Sequence, residues 1–270
     1  MELLSYRDKV CVVTGAASGI GKAVSQQLVE LGAKVYGLDR NEAAIEGLAG
    51  FIATDLSSKD SIDAAFVQLP QAIDCFFGVA GLSGAKTGYW VTFIVNFIAN
   101  KYITETYLEP RMAPGSSIAY VTSCGGLMWE KWSREYKKIM DCKTWEEMVA
   151  FMKKVSPRDG VGVMAYTLSK LAMNYYTALK AVDYAAKGIR VNALLPGSTN
   201  TGMKQEFEKM AGGQEKLLKE NGAIGRLATP EEMAAPLLFL NSDMACFVSG
   251  LMLIADMGHN GEKVLGRSKN

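Results

Sequence analysis

Seven short, β-branched runs recur along this chain, and amphipathic helical patterns fill most of the intervals between them. The runs are residues 9–15 (KVCVVTG), 33–39 (AKVYGLD), 51–54 (FIAT), 73–81 (IDCFFGVAG), 117–123 (SIAYVTS), 189–196 (IRVNALLP) and 251–256 (LMLIAD). Their apolar residues are nearly continuous rather than alternating, which suits strands covered on both faces of a parallel sheet. The segment IGKAVSQQLVELG ends on Gly32 as a C-cap, and TPEEM opens a helix with Thr229 as N-cap, Pro230 at the first position and Glu232 closing a capping box. Alternation of this kind predicts an α/β fold: a doubly wound parallel sheet of about seven strands with helices on both faces. No repeat, low-complexity tract or linker divides the chain, so residues 1–270 are expected to form a single domain.

The first strand runs into TGAASGIG (Thr14–Gly21), which opens directly into a helix. Glycines 15, 19 and 21 allow a tight turn and let a pyrophosphate approach free N–H groups at the positive end of the helix dipole. Asp39 closes the second strand, where a carboxylate hydrogen-bonds ribose hydroxyls and repels a 2′-phosphate. Arg40 is the counter-feature, since a guanidinium can cradle that phosphate. With Asp39 present and no basic residue in the glycine turn, NAD is preferred over NADP. Asp55, after FIAT, is either an acceptor for the adenine amino group or a plain helix-N-terminal carboxylate.

Composition removes other classes. A net charge of +1 offers no broad attraction to nucleic acid or anionic membrane. The longest apolar stretch, YWVTFIVNFIA, is shorter than the roughly 20 residues that a membrane span needs, and MELLSYRDK does not read as a signal peptide. Five scattered cysteines without a C-x-x-C pair argue against disulfides or zinc and for a cytoplasmic location. A single histidine, His259, cannot build a His-based site, so no metal is expected.

Tyr166 and Lys170, in AYTLSK, fall on one helix face. A neighbouring ammonium and an oxidised nicotinamide would both favour the phenolate, making Tyr166 a usable base near neutral pH. Alone, the pair could equally be a surface contact. Together with TGAASGIG, YVTS, Asn96 in FIVNF, PGSTNTGM from Pro196 and the C-terminal third, it makes the whole chain resemble the short-chain dehydrogenase/reductase family, whose fold is a single Rossmann-type sheet. The resemblance implies Tyr166 as general acid/base, Ser123 as hydrogen-bond partner of the substrate oxygen, Lys170 on the nicotinamide ribose and Asn96 holding a water in a proton relay. It further implies cofactor contacts from Gly15, Ser18, Gly19, Ile20, Gly21, Asp39, Arg40, Asp55, Leu56, Ala80, Gly81, Tyr166, Lys170, Pro196, Gly197, Thr199 and Thr201. The usual N-N-A-G after strand 4 is here GVAG, Gly78–Gly81, so a different brace for the central strands is expected.

Two segments depart from the alternation: a helical insertion at 125–160 between strand 5 and the catalytic helix, and a polar, Gly-punctuated stretch at 198–225 expected to bind substrate. In the insertion, Trp129, Trp132, Tyr136 and Met140 fall at helical spacing, as do Trp145, Met148, Val149 and Met152 behind a capping box of Thr144 and Glu147. These stripes either roof an apolar pocket as a lid or pack on the domain or a partner subunit. Cys124, Trp129, Trp132 and Met203 are the candidate substrate contacts. Together with VAG, the insertion resembles the bacterial 3α-hydroxysteroid dehydrogenase/carbonyl reductase branch of the family. That implies an apolar steroid or bile acid substrate, with no nucleic-acid or membrane partner, and a homodimer with a homotetramer as the alternative. The other readings are an enzyme for another apolar alcohol or ketone, or a non-catalytic NAD-sensing protein.

Overall fold

A computed structural model describes residues 4–267 apart from Ala43 and Glu220. Its sheet has seven parallel strands in the order β3-β2-β1-β4-β5-β6-β7. They are β1 (Val10–Thr14), β2 (Lys34–Asp39), β3 (Gly50–Ala53), β4 (Cys75–Gly78), β5 (Ser117–Val121), β6 (Arg190–Pro196) and β7 (Met252–Ala255). Each lies within or beside an apolar run read from the sequence, and β4 and β6 are buried throughout. The order reverses between β1 and β4, which opens a crevice at the carboxyl ends of the strands.

Helix α1 (Gly19–Glu30) packs in one core with α9 (Pro230–Asn241), whose Thr229–Glu232 capping box forms as expected. On the opposite face α2 (Lys59–Gln68), the helix α3 spanning 89–108, and α6 (Gly162–Ala185) share the larger core. The apolar run YWVTFIVNFIA belongs to α3. This helix widens into a π-turn at Ile94–Ile98 and another at Thr104–Leu108. Asn96 sits in the first of them; such turns interrupt the regular carbonyl ladder and recur at functional positions.

Inside the 125–160 insertion are α4 (Ser133–Asp141) and α5 (Trp145–Val155), the latter with the expected Thr144–Glu147 capping box. The first tryptophan pair is not on an α-helix, because Met128 takes a left-handed backbone (φ 63°) and Trp129–Trp132 form a tight 3₁₀ turn instead. Of the two meanings left open for the stripes, core packing holds for Tyr136, Met140, Trp145, Met148 and Met152, all of which are buried. Trp145 meets Tyr102 of α3 edge-on at 5.5 Å, and the buried Lys101 ammonium donates to the Cys142 carbonyl at 2.9 Å. The 198–225 segment carries α7 (Lys204–Ala211) and α8 (Gln214–Lys219), and α10 (His259–Val264) follows β7. Among the described residues no helix is long and apolar enough to cross a membrane.

Candidate active site

The nucleotide end is built on backbone approach. Gly15 has a positive φ (+73°), and a Cβ there would stand 2.9 Å from the Ala80 Cα, so β1 and the end of β4 can close only over a glycine. The brace that replaces the missing asparagine is Thr14. Its hydroxyl accepts from the Val79 and Ala80 N–H groups at 3.0 and 3.2 Å.

Ser18 is the N-cap of α1 but makes no side-chain cap bond, and the first turn holds no acidic residue. The N–H groups of that turn, beside Gly19 and Ile20, therefore face the crevice without an internal carboxylate, which is the donor set a pyrophosphate fits. Asp39 stands at the rim, its carboxylate accepting from Ala17 N–H at 3.1 Å and Asn41 N–H at 3.0 Å, while Arg40 is exposed. Thr201 closes the far side: its Cγ2 lies 3.2 Å from where a Gly19 Cβ would be.

Asp55 is exposed and turned onto its own loop, accepting from Ser57 N–H at 2.8 Å and Ser57 Oγ at 2.7 Å; Leu56 beside it is buried. Pro196 ends β6, and Thr199 donates to the Gly197 carbonyl at 3.1 Å. A cavity of about 340 Å³ opens beyond Gly197, lined also by Asn221, Ile224, Arg226 and Met257. Ser123 and Tyr166 do not line it.

The catalytic candidates converge from three elements: Ser123 after β5, Tyr166 and Lys170 one turn apart on α6, and Asn96 in the π-turn of α3. The Asn96 amide grips the chain after β4 at both ends of one residue, accepting from Leu82 N–H at 2.8 Å and donating to the Leu82 carbonyl at 2.9 Å. It also donates to Ser169 Oγ at 3.2 Å, and Ser169 in turn donates to the Tyr166 carbonyl at 2.7 Å. A Cβ on Gly81 would stand 3.4 Å from Asn96 Oδ1 and 3.6 Å from Lys170 Nζ, so the relay candidates meet against bare backbone.

Lys170 is buried and donates to the Val121 carbonyl at 2.9 Å. Burial pushes its ammonium down to about 8. Burial also pushes the Tyr166 phenol up, opposed by its hydrogen bond with the Ser123 hydroxyl. The ammonium lies 5.6 Å from the Tyr166 ring centroid and is engaged by the Val121 carbonyl.

The substrate candidates are less convergent. The Cys124 thiol donates to the Leu195 carbonyl at 3.4 Å, and burial pushes it up to about 12. Trp129 rests edge-on against Tyr175 at 6.1 Å, Trp132 is exposed, and Met203 is the half-buried N-cap of α7. Phe207, absent from the sequence-based candidates, stands edge-on to Tyr166 with ring centroids 5.7 Å apart. Thr14, Ser83, Ser169 and Glu206 were missed with it. Each acts through a contact remote in sequence, which periodicity and motif spacing do not report.

Known proteins agree with this architecture. Residues 9–137 match the family model described as short chain dehydrogenase, and residues 133–260 match one described as enoyl-(acyl carrier protein) reductase. A coniferyl-alcohol dehydrogenase of Pseudomonas sp. strain HR199 is 32% identical, covering 94% of this chain and 98% of that protein. A 3beta-hydroxysteroid dehydrogenase of Mediterraneibacter gnavus is 28% identical, covering 94% and 95% of the two chains. Among solved structures, the 3-alpha-hydroxysteroid dehydrogenase of Pseudomonas sp. B-0831, in complex with NADH, superposes with a TM-score of 0.78 at 25% identity, covering 97% of this chain and all of that one. The chain belongs to the short-chain dehydrogenase/reductase family, a family of NAD(P)-dependent oxidoreductases.

Proposed function

We propose that this protein is an NAD-dependent dehydrogenase for an alcohol carried on a rigid apolar ring framework, a hydroxysteroid or bile acid in the first instance. The observation that carries the reading is the meeting of Asn96 Oδ1 and Lys170 Nζ against Gly81, with the Lys170 ammonium 5.6 Å from the Tyr166 ring and Phe207 edge-on to that ring. Tyr166 exchanges a proton with the substrate oxygen, and Ser123 donates to the same oxygen and steadies the charge that develops on it. Lys170 carries a positive charge at pH 7 and holds the nicotinamide ribose, with Asn96 keeping the relay after it in place. The bound nicotinamide supplies a hydride acceptor, and the chain supplies alignment and a drier, fixed electrostatic surround. Asp39 supports NAD over NADP, its carboxylate being fixed beside the glycine turn by the Ala17 and Asn41 N–H groups.

A second substrate class is an aryl-substituted alcohol. It is favoured by the burial of Tyr136, Met140, Trp145, Met148 and Met152, which removes most of the apolar roof that a four-ring steroid would use. The 32% identity to the coniferyl-alcohol dehydrogenase supports it too. NAD reduction measured across epimeric hydroxysteroids, coniferyl-type alcohols and simple secondary alcohols separates these classes, with Tyr166→Phe as the control. Turnover surviving in Tyr166→Phe would sink the mechanism and leave an NAD-sensing protein as the alternative.

The insertion lies against Lys101 and Tyr102 of α3, which supports a homodimer over a homotetramer; light scattering on the purified protein decides. The five free thiols accord with a cytoplasmic setting, and fractionation of the source cell tests that.

A further inference from the structure

Helix α7 has no fully buried residue, yet it stands over the reactive phenol. Its fixed point is Glu206. That carboxylate accepts from the buried Ser83 hydroxyl and from Lys86 Nζ at 2.8 Å, and its side chain is only 15% exposed. Ser83 is itself set from two sides. Its hydroxyl also accepts from Ala85 N–H at 3.2 Å, and its neighbour Leu82 is held at both N–H and carbonyl by Asn96. A short covalent and hydrogen-bonded path thus runs from Asn96 through Leu82 and Ser83 to Glu206, and the next residue along the chain is Phe207.

From this geometry we infer that Glu206 is a positioning residue whose hold on Ser83 and Lys86 sets Phe207 against Tyr166, and that Phe207 selects alcohols bearing a flat apolar ring close to the carbinol carbon. The inference rests on the dehydrogenase reading for its substrate half and on geometry alone for its latch half. The Phe207 ring stands edge-on to the Tyr166 ring at 5.7 Å between centroids. A planar or fused ring next to the carbinol can face it, whereas a short aliphatic alcohol leaves it without a partner. Releasing the latch frees the wall without altering Ser123, Tyr166 or Lys170, so discrimination falls before chemistry does.

Three variants test this in the full chain: Glu206→Gln, Ser83→Ala and their combination. Amide hydrogen exchange over residues 204–211 is expected to accelerate in each single variant, and the double variant is expected to fall short of the sum of the singles, since both act on the Glu206–Ser83 contact while Glu206→Gln also weakens the Lys86 pair. The ratio of kcat/KM for the preferred ring-bearing alcohol to that for propan-2-ol is expected to fall by roughly 10-fold in all three and in Phe207→Ala, mostly through KM. NAD affinity, measured by titration calorimetry, is expected to hold. Unchanged exchange in Glu206→Gln overturns the latch, whatever the kinetics. Accelerated exchange with an unchanged ratio overturns the selective role of Phe207. Absence of turnover on every alcohol in the wild type removes the dehydrogenase reading and the selectivity with it, while exchange still decides the latch.

Discussion

The Lys170 ammonium donates to the Val121 carbonyl at 2.9 Å, and among the described residues no carboxylate pairs with it. A buried, unpaired charge costs stability, and burial holds this one down to about 8. Below that pH both folded and unfolded chains carry the proton and the cost is fully present. Between about 8 and the ordinary lysine value near 10.4 the unfolded chain binds more protons, so this group's contribution to stability rises with pH. Lys170→Met is therefore expected to stabilise the fold at pH 7 by about 2 kcal/mol, less at pH 10, while cutting turnover by roughly 100-fold or more. Denaturant unfolding at the two pH values measures it; equal stability at pH 7 would contradict the assignment.

Thr14 carries the junction between β1 and β4 by accepting two N–H groups with one hydroxyl. Thr14→Val keeps the shape and removes the acceptor, leaving the Ala80 N–H unmade and the Val79 N–H with the Phe77 carbonyl alone. A loss of about 2 kcal/mol or more is expected, together with weaker NAD binding, because Gly15 packs on Ala80 at this junction. Thr14→Ser keeps the hydroxyl and is expected to lose much less. Unfolding curves and calorimetric titration of the three proteins decide.

Asp39 is expected to set the nucleotide preference. Asp39→Ala removes the charge that opposes a 2′-phosphate and leaves the exposed Arg40 free to attract one. The NAD to NADP ratio of kcat/KM is expected to fall by about 10- to 100-fold. An unaltered ratio would place discrimination elsewhere.

The insertion returns to the fold at Gly162, where a Cβ would overlap the Thr87 and Gly84 backbone. Backbone on both sides has little room to yield, so Gly162→Ala is expected to destabilise by about 1–3 kcal/mol. A thermal midpoint equal to wild type would show that the 82–88 loop gives way more easily than its geometry implies.

The sheet was legible because its strands are apolar on both faces, a pattern that one run such as VCVVT or NALLP carries by itself. The four catalytic candidates were legible as motifs; Asn96 and Lys170 meet against Gly81, and Lys170 lies beside the Tyr166 ring. What periodicity could not decide is which surface an amphipathic face covers. The same stripe from Trp145 to Met152 fits a lid or a core, and only the position of Tyr102 makes it core. Phe207 was invisible for the opposite reason. Its helix has no apolar face worth the name, and what places it is a hydrogen bond made by the residue before it. Asp55 shows a third limit, since a carboxylate beside a strand end is equally a turn-former, and here it binds Ser57.

The two ends of the insertion are tied down beside the chemistry: the Gly126 carbonyl accepts from Asn174 Nδ2 on α6 at 2.8 Å, and Gly162 is wedged against the 84–87 backbone. What lies between is thus fixed at its ends, and its inner face from Tyr136 to Met152, with the Cys142 carbonyl that Lys101 uses, belongs to the core. Chain length there changes closure entropy only slowly, and the fixed sockets keep Ser123 and Tyr166 in register while the intervening helices are exchanged. Transplanting residues 127–161 from a relative with another substrate is a route to new specificity provided that the buried face and the acceptor for Lys101 travel with it.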